Sequence, residues 1–194
     1  MHILQITTSI HGENSTSNRL AHAIAQRLKG DGTVVERDLG NQPLPHISGH
    51  GFDGLRLEAT ERDAVQVQTA TLSDTLIAEL KAANTIVLGL PMYNFGIPSA
   101  LKAWIDHVAR AGVTFGYTSN GPEGYLTGKK LIVAATRGGK YAGTAADIQS
   151  QYIRQVFGFL GVTDVEFVYA EGLATDDRES AIKQAQKQIE TIAA

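Results

Sequence analysis

Residues 89–98, Gly-Leu-Pro-Met-Tyr-Asn-Phe-Gly-Ile-Pro, follow the apolar run Ile86-Val87-Leu88 and set a thioether, two aromatic rings and a carboxamide side by side. Met92, Tyr93, Asn94 and Phe95 together offer a surface for a flat heteroaromatic ring rather than for a sugar or a metal. An aromatic run is costly to expose without a ligand, although Tyr93 or Phe95 suits a core equally well. Residues 9–18 form a hydroxyl-rich loop ahead of a helix, with a spacing that matches neither GxGxxG nor GxxxxGK[ST]. Free N–H groups and a partial positive charge at a helix start make a phosphate seat. Ser15, Thr16 and Ser17 add O–H donors without a lysine, which suits a monophosphate better than a triphosphate with Mg²⁺. A plain N-cap at Ser15, Thr16, Ser17 or Asn18 satisfies the same pattern. The run Thr136-Arg137-Gly138-Gly139-Lys140-Tyr141 has two glycines where backbone can lie against a ligand edge and offer N–H groups, and it equally fits an ordinary turn.

Hydrophobic periodicity supplies the elements that position these stretches. Strands are expected at 3–8, 33–39, 85–90, 130–136 and 165–169. Leu20, Ile24 and Leu28 mark a first helix that Gly30 to Gly32 ends, and Leu72, Leu76, Ile77 and Leu80 mark a second within 55–83, after a weaker polar helical segment. Leu101, Trp104, Ile105 and Val108 give a clean helical stripe from near Ser99, the chain having turned sharply at Pro91. Ile153, Val156, Phe157 and Leu160 give another stripe, and Ile182, Ala185, Ile189 and Ile192 a terminal helix. Residues 40–54, rich in glycine and proline, read as irregular. Residues 112–128 are too long for a plain helix-to-strand link; Phe115 and Tyr117 alternate before Asn120-Gly121, so a small hairpin is expected there. Five strands alternating with helices, without repeat or linker, predict one α/β domain over 1–194. Its simplest form is a flavodoxin-like five-stranded parallel sheet with helices on both faces. In that topology the loops after strands one, three and four meet at one sheet edge.

The bulk numbers narrow the function. The 194 residues are 43% hydrophobic and 19% charged, with a net charge of −3 and both signs interspersed, so nothing points to nucleic acid or an anionic membrane. Cysteine is absent, which excludes disulfides, thiolate metal sites and a cysteine nucleophile. No basic leader or apolar run near the roughly 18 residues of a membrane span is found, so a cytoplasmic location is expected. His11 reads as a solvated loop histidine. His46 and His50, in a glycine-rich loop, are not expected to bind metal.

Ser9, Ser15-Thr16-Ser17, Pro91-Met92-Tyr93-Asn94-Phe95, the 109–115 run, Asn120-Gly121-Pro122-Glu123-Gly124, Arg137-Gly138-Gly139 and Phe157-Gly158-Phe159-Leu160-Gly161 follow one another in this order. Together they resemble the FMN-dependent NADH:quinone oxidoreductase and NADH-azoreductase family over nearly the whole chain. The resemblance implies a homodimer with one tightly bound, non-covalent FMN per subunit and active sites at the interface. NADH or NADPH would be the electron donor, and quinones or azo compounds the acceptors in a ping-pong, two-electron cycle. It implies that Ser9, Ser15, Thr16 and Ser17 hold the FMN phosphate, that Met92, Tyr93, Asn94 and Phe95 line the flavin ring, and that Thr136, Arg137, Gly138 and Gly139 hold its pyrimidine side. Reduction puts negative charge near N1 and O2 of the ring, which the N–H groups of Gly138 and Gly139 would stabilise. The flavin does the hydride chemistry, so no acid–base triad is expected. Tyr117, Tyr125, Phe157 and Phe159 are expected as aromatic walls of the substrate slot, some from the partner subunit, although Phe157 equally suits the core. Tyr141 is expected beside that slot, and the pair Lys140-Tyr141 after the glycines is where substrate preference could differ; no role is assigned to Lys140. Arg110 either pairs with a carboxylate or reaches the interface. The alternative is a flavodoxin-type electron carrier, but such carriers are usually strongly acidic and have little use for the 112–128 insertion. A receiver domain on the same fold is excluded, because it needs acidic residues where Ser9 and Pro91 stand.

Overall fold

The structure, a computed structural model, describes residues 1–193. Its elements in chain order are β1 (His2–Thr7), α1 (Thr16–Lys29), β2 (Thr33–Asp38), α2 (Gly49–Gly54), α3 (Ala64–Ala82), β3 (Thr85–Pro91), α4 (Ser99–Val108), β4 (Phe115–Thr118), β5 (Gly121–Gly124), β6 (Lys130–Thr136), α5 (Ile148–Phe159), β7 (Asp164–Ala170) and α6 (Arg178–Thr191). The main sheet has five strands in the order β2-β1-β3-β6-β7, all parallel, which is the expected flavodoxin-like arrangement.

Every residue of β3 is buried, as a central parallel strand covered on both faces requires. Its side chains alternate between two cores. Val87 joins Ile3, Ile132 and Val168 under Leu20, Ile24 and Leu28 of α1 and Ala185 and Ile189 of α6. Ile86 and Leu88 join Leu4, Ile6, Leu131 and Val133 under α3, α4 and α5, where Leu76, Leu80, Trp104 and Phe157 close the layer.

The departures from the expected elements have local causes. Within the span read as irregular, Gly49–Gly54 forms a six-residue helix whose start is capped by Ser48, its Oγ accepting from the Gly51 amide at 3.1 Å. Three glycines in six positions give no helical periodicity to read. The helix expected somewhere in 55–83 begins only at Ala64, because Asp63 and Gln66 form a reciprocal capping box. The polar segment before it is a 3₁₀ turn at Ala59–Glu61. β3 continues through Pro91, paired with Thr136, where the last position of a strand does not need the missing N–H. Among the described residues no helix is long and apolar enough to cross a membrane.

The expected hairpin is present, with its turn one residue earlier than Asn120-Gly121. Thr118 pairs with Gly121, so Ser119 and Asn120 make the turn and Gly121 takes φ +110°. Its base is seated on the end of α5. The Leu126 amide donates to the Leu160 carbonyl at 2.8 Å, and a Cβ placed on Gly124 would lie 2.1 Å from the Gly161 nitrogen. Only glycine lets these two backbones meet. Gly124→Ala is therefore expected to destabilise the fold by about 1–3 kcal/mol, the usual size of an overpacking penalty. Denaturant midpoints would measure this, and limited proteolysis would show cleavage starting in the hairpin.

Candidate active site

The parallel register brings three strand ends to one edge, with Thr7 beside Gly89 and Pro91 beside Thr136. The loop after β1 is tied to β3 at once, since the buried Thr8 hydroxyl donates to the Gly89 carbonyl at 2.7 Å. Ser15 is the N-cap of α1: its Oγ accepts from the Asn18 amide at 3.5 Å and lies 2.8 Å from Ser17 Oγ. The first main-chain bond of this helix runs from the Arg19 amide to the Ser15 carbonyl. The amides of Thr16 and Ser17 are left without an acceptor among the described residues. Ser15 therefore caps the helix while two amides at its start stay available as donors.

The loop after β3 is a tight reversal. Tyr93 and Gly96 exchange main-chain bonds of 3.2 and 2.9 Å, while Asn94 and Phe95 between them adopt φ +50° and +63°. Asn tolerates the left-handed region, whereas a residue such as Phe is held there at a cost of about 1–2 kcal/mol. The turn is held from below by Gln149 of α5, whose Nε2 donates to the carbonyls of Pro91 and Gly96 at 3.0 Å each. In this turn Phe95 is 55% exposed, with its ring edge-on to Tyr141 at 5.7 Å. The Tyr93 hydroxyl reaches back to the first loop, 3.0 Å from Ser9 Oγ, and accepts from the Ile10 amide. The Met92 amide donates to the Thr136 carbonyl at 2.9 Å, which fastens the second loop to the third.

In the third loop the carbonyls of Gly138 and Gly139 accept from the amides of Ala174 and Gly172, at 3.1 and 3.0 Å. Their own amides have no acceptor among the described residues. Arg137 departs from expectation. Its side chain turns inward, fully enclosed, to Asp147, Glu171 and Ser150, so its guanidinium does not face the loop edge. Thr8, Gln149, Asp147 and Glu171 were not found from the sequence, because each acts through a partner 10 to 81 positions away.

The aromatic residues separate into two groups. Tyr141 meets Phe95 at the strand-end loops. Tyr117, 76% exposed, stands edge-on to Phe115, which packs on Phe159 at 4.4 Å. Tyr125, half exposed, lies against Gly116 on the same hairpin. Phe157 does not belong with them: it is 0% exposed and stacked on Trp104. It shares the inward stripe of α5 with Ile153, which makes it core. Arg110 pairs with Asp74, and His50 with Asp63 at 2.6 Å. No cluster of metal-ligating residues occurs among the described residues.

The family described as having a flavodoxin-like fold matches residues 1–193. The FMN-dependent NADH:quinone oxidoreductase of Alcanivorax borkumensis is 50% identical over 194 residues, covering 97% of this chain and 98% of its own. That of Dechloromonas aromatica is 48% identical over 199 residues, covering all of both chains. The chain belongs to the FMN-dependent NADH:quinone oxidoreductase family. The solved structure of an FMN-dependent NADH-azoreductase from Bacillus anthracis in complex with FMN matches this family member with a TM-score of 0.88 at 26% identity, over 97% of this chain and 95% of that one. The family resemblance and the flavodoxin-like sheet read from the sequence both hold.

Asp147, which caps α5, sets a pH dependence. Burial pushes its carboxyl up, but bonds from the Arg137 guanidinium and from the Ser150 amide and hydroxyl outweigh this and hold it below the ordinary aspartate value. A carboxyl lowered by folding stabilises the protein above its unfolded value, about 3.9, and that contribution is lost as pH falls through the lowered folded value. Asp147→Asn is expected to be less stable at pH 7 and to show a shallower loss of stability below about pH 4. Urea midpoints across the acid range would measure both.

Proposed function

We propose that this chain is an FMN-loaded, NAD(P)H-dependent oxidoreductase that reduces quinones and azo compounds two electrons at a time. In this reading it is a cytoplasmic homodimer of single-domain subunits spanning 1–194. One observation carries it: two pairs of unpartnered amides, Thr16 with Ser17 and Gly138 with Gly139, flank a strained loop that displays Phe95. The residues fit FMN. The start of α1, with Ser9, Ser15, Thr16 and Ser17, offers amide and hydroxyl donors plus the positive end of a 14-residue helix to a phosphate monoester. Met92, Tyr93, Asn94 and Phe95 offer the ring its surface, and Thr136, Gly138 and Gly139 its pyrimidine edge.

Bound FMN supplies hydride acceptance and the return of an electron pair to a second substrate. The protein's own part is binding and electrostatics. The Gly138 and Gly139 amides are preorganised donors where negative charge develops, worth more in a site shielded from water than in solvent. Gln149 and the Tyr93–Gly96 exchange hold the ring surface in place, so that little reorganisation is needed on loading. Tyr117, Tyr125, Phe159 and Tyr141 supply aromatic walls, some reaching the partner subunit's slot, where donor and acceptor bind in turn. That alternation in one slot is what makes the cycle ping-pong.

Anaerobic titration of the FMN-loaded protein with NADH tests this reading. The bound flavin is expected to bleach and to regain its colour when a quinone is added. Initial rates at several quinone concentrations should give parallel double-reciprocal lines. A flavin that ignores NADH and NADPH, yet accepts single electrons from dithionite, would make the protein a carrier instead.

A further inference from the structure

Arg137 carries a charge with no access to water, and its surroundings explain why it is there. Nη2 donates to Asp147 Oδ1 at 2.6 Å and to Ser150 Oγ at 2.8 Å, while Nη1 donates to Glu171 Oε1 at 3.1 Å. The guanidinium also lies 5.0 Å from the centre of the Tyr169 ring. Each partner holds backbone in turn. Asp147 Oδ1 accepts from the Ser150 amide and so starts α5. Glu171 Oε1 accepts from the Tyr141 and Ala142 amides at 2.8 and 2.9 Å, directly beyond the glycine pair.

The same anchoring fixes which way the glycine amides point. The Arg137 carbonyl accepts from the Leu173 amide and the Gly138 carbonyl from the Ala174 amide, so both are drawn toward the segment after β7. In a trans peptide the N–H of the next residue points opposite to the C=O. The Gly138 and Gly139 N–H groups are therefore both turned away from that segment. The residues on either side of the glycine pair are held by one guanidinium and the two carboxylates it neutralises. Without it, the buried Asp147 and the part-buried Glu171 keep only amide and hydroxyl partners and no cation, which favours movement toward water.

Resting on the FMN reading above, we propose that Arg137 is a positioning residue for flavin reduction: its buried fork holds the β6–α5 loop so that the Gly138 and Gly139 N–H groups meet the negative charge of the reduced ring. Arg137 touches neither cofactor nor substrate in this role. The fork's geometry matters as well as its charge, because a lysine is a compact point charge that cannot span three acceptors at once.

The test compares FMN-loaded wild type with Arg137→Gln and Arg137→Lys, reading the ratio of affinities for reduced and oxidised FMN from the midpoint potential. Arg137→Gln is expected to lower that ratio about tenfold, equivalent to about 30 mV for a two-electron couple. Arg137→Lys should lower it at least about threefold, and both variants should lose kcat more than they raise KM for NADH. A folded Arg137→Gln protein with the wild-type potential, or an Arg137→Lys protein indistinguishable from wild type, would overturn the inference. Should Arg137→Gln not fold, Ser150→Ala removes one acceptor of the same fork and is expected to lower the ratio about threefold, the size of one hydrogen bond; no change would overturn the inference equally. Wild type that binds no FMN would refute the FMN reading instead.

Discussion

Parallel pairing of β1, β3, β6 and β7 sets where everything else can be. Because the strands run the same way and in one register, Thr7, Gly89, Pro91, Thr136 and Ala170 finish together at a single edge of the sheet. The loops after β1, β3 and β6 start from strands buried along almost their whole length, and β3 between them has a core on both faces. The cross-links between loops are short for that reason. Thr8 bonds to Gly89, Met92 to Thr136 and Arg137 to Ala170, each joining one strand end to the next. The loops thereby form one surface, and the donors on it are spaced by the sheet rather than by the loops themselves.

Two opposite physical conditions meet on that surface. The amides at the start of α1 and at the glycine pair are polar groups that the fold leaves unpaired, while Asn94 and Phe95 are held in backbone conformations the chain would otherwise avoid. Both are unfavourable in isolation, and in the FMN reading both would be relieved by a ligand with an anionic end and a flat ring. What supports them lies underneath: Gln149 bonds two carbonyls of the strained turn, and the Arg137 fork bonds both flanks of the glycine loop. Both supports involve α5, through Gln149 and Ser150 in its first turn.

Most of the frame was legible because it follows from periodicity. The five strands of the sheet are apolar or alternating runs, and the long helices carry stripes such as Leu101, Trp104, Ile105 and Val108. The family was legible because weak motifs recur in a fixed order. Three kinds of feature were not legible. The short helix at Gly49–Gly54 depends on a cap and its packing against α3 rather than on its own residues. The inward turn of Arg137 depends on carboxylates 10 and 34 positions away, a pairing no local pattern shows. The place of Phe157 was ambiguous because one stripe on α5 serves the core while Phe159, two residues on, packs against the hairpin.

The backbone contact between Gly124 and Gly161 divides the hairpin into two kinds of position. At its base, where Gly124 meets Gly161, a side chain has no room and substitution is costly. At its tip, Tyr117, Thr118, Ser119 and Asn120 are exposed and carry no part of the core. A structure built this way behaves like a fixed socket with an interchangeable head. Substitution can alter the head while both cores of the sheet keep their side chains. In the FMN reading proposed above, such a joint would let the range of acceptors drift over evolutionary time while the loops that hold the flavin stay as they are.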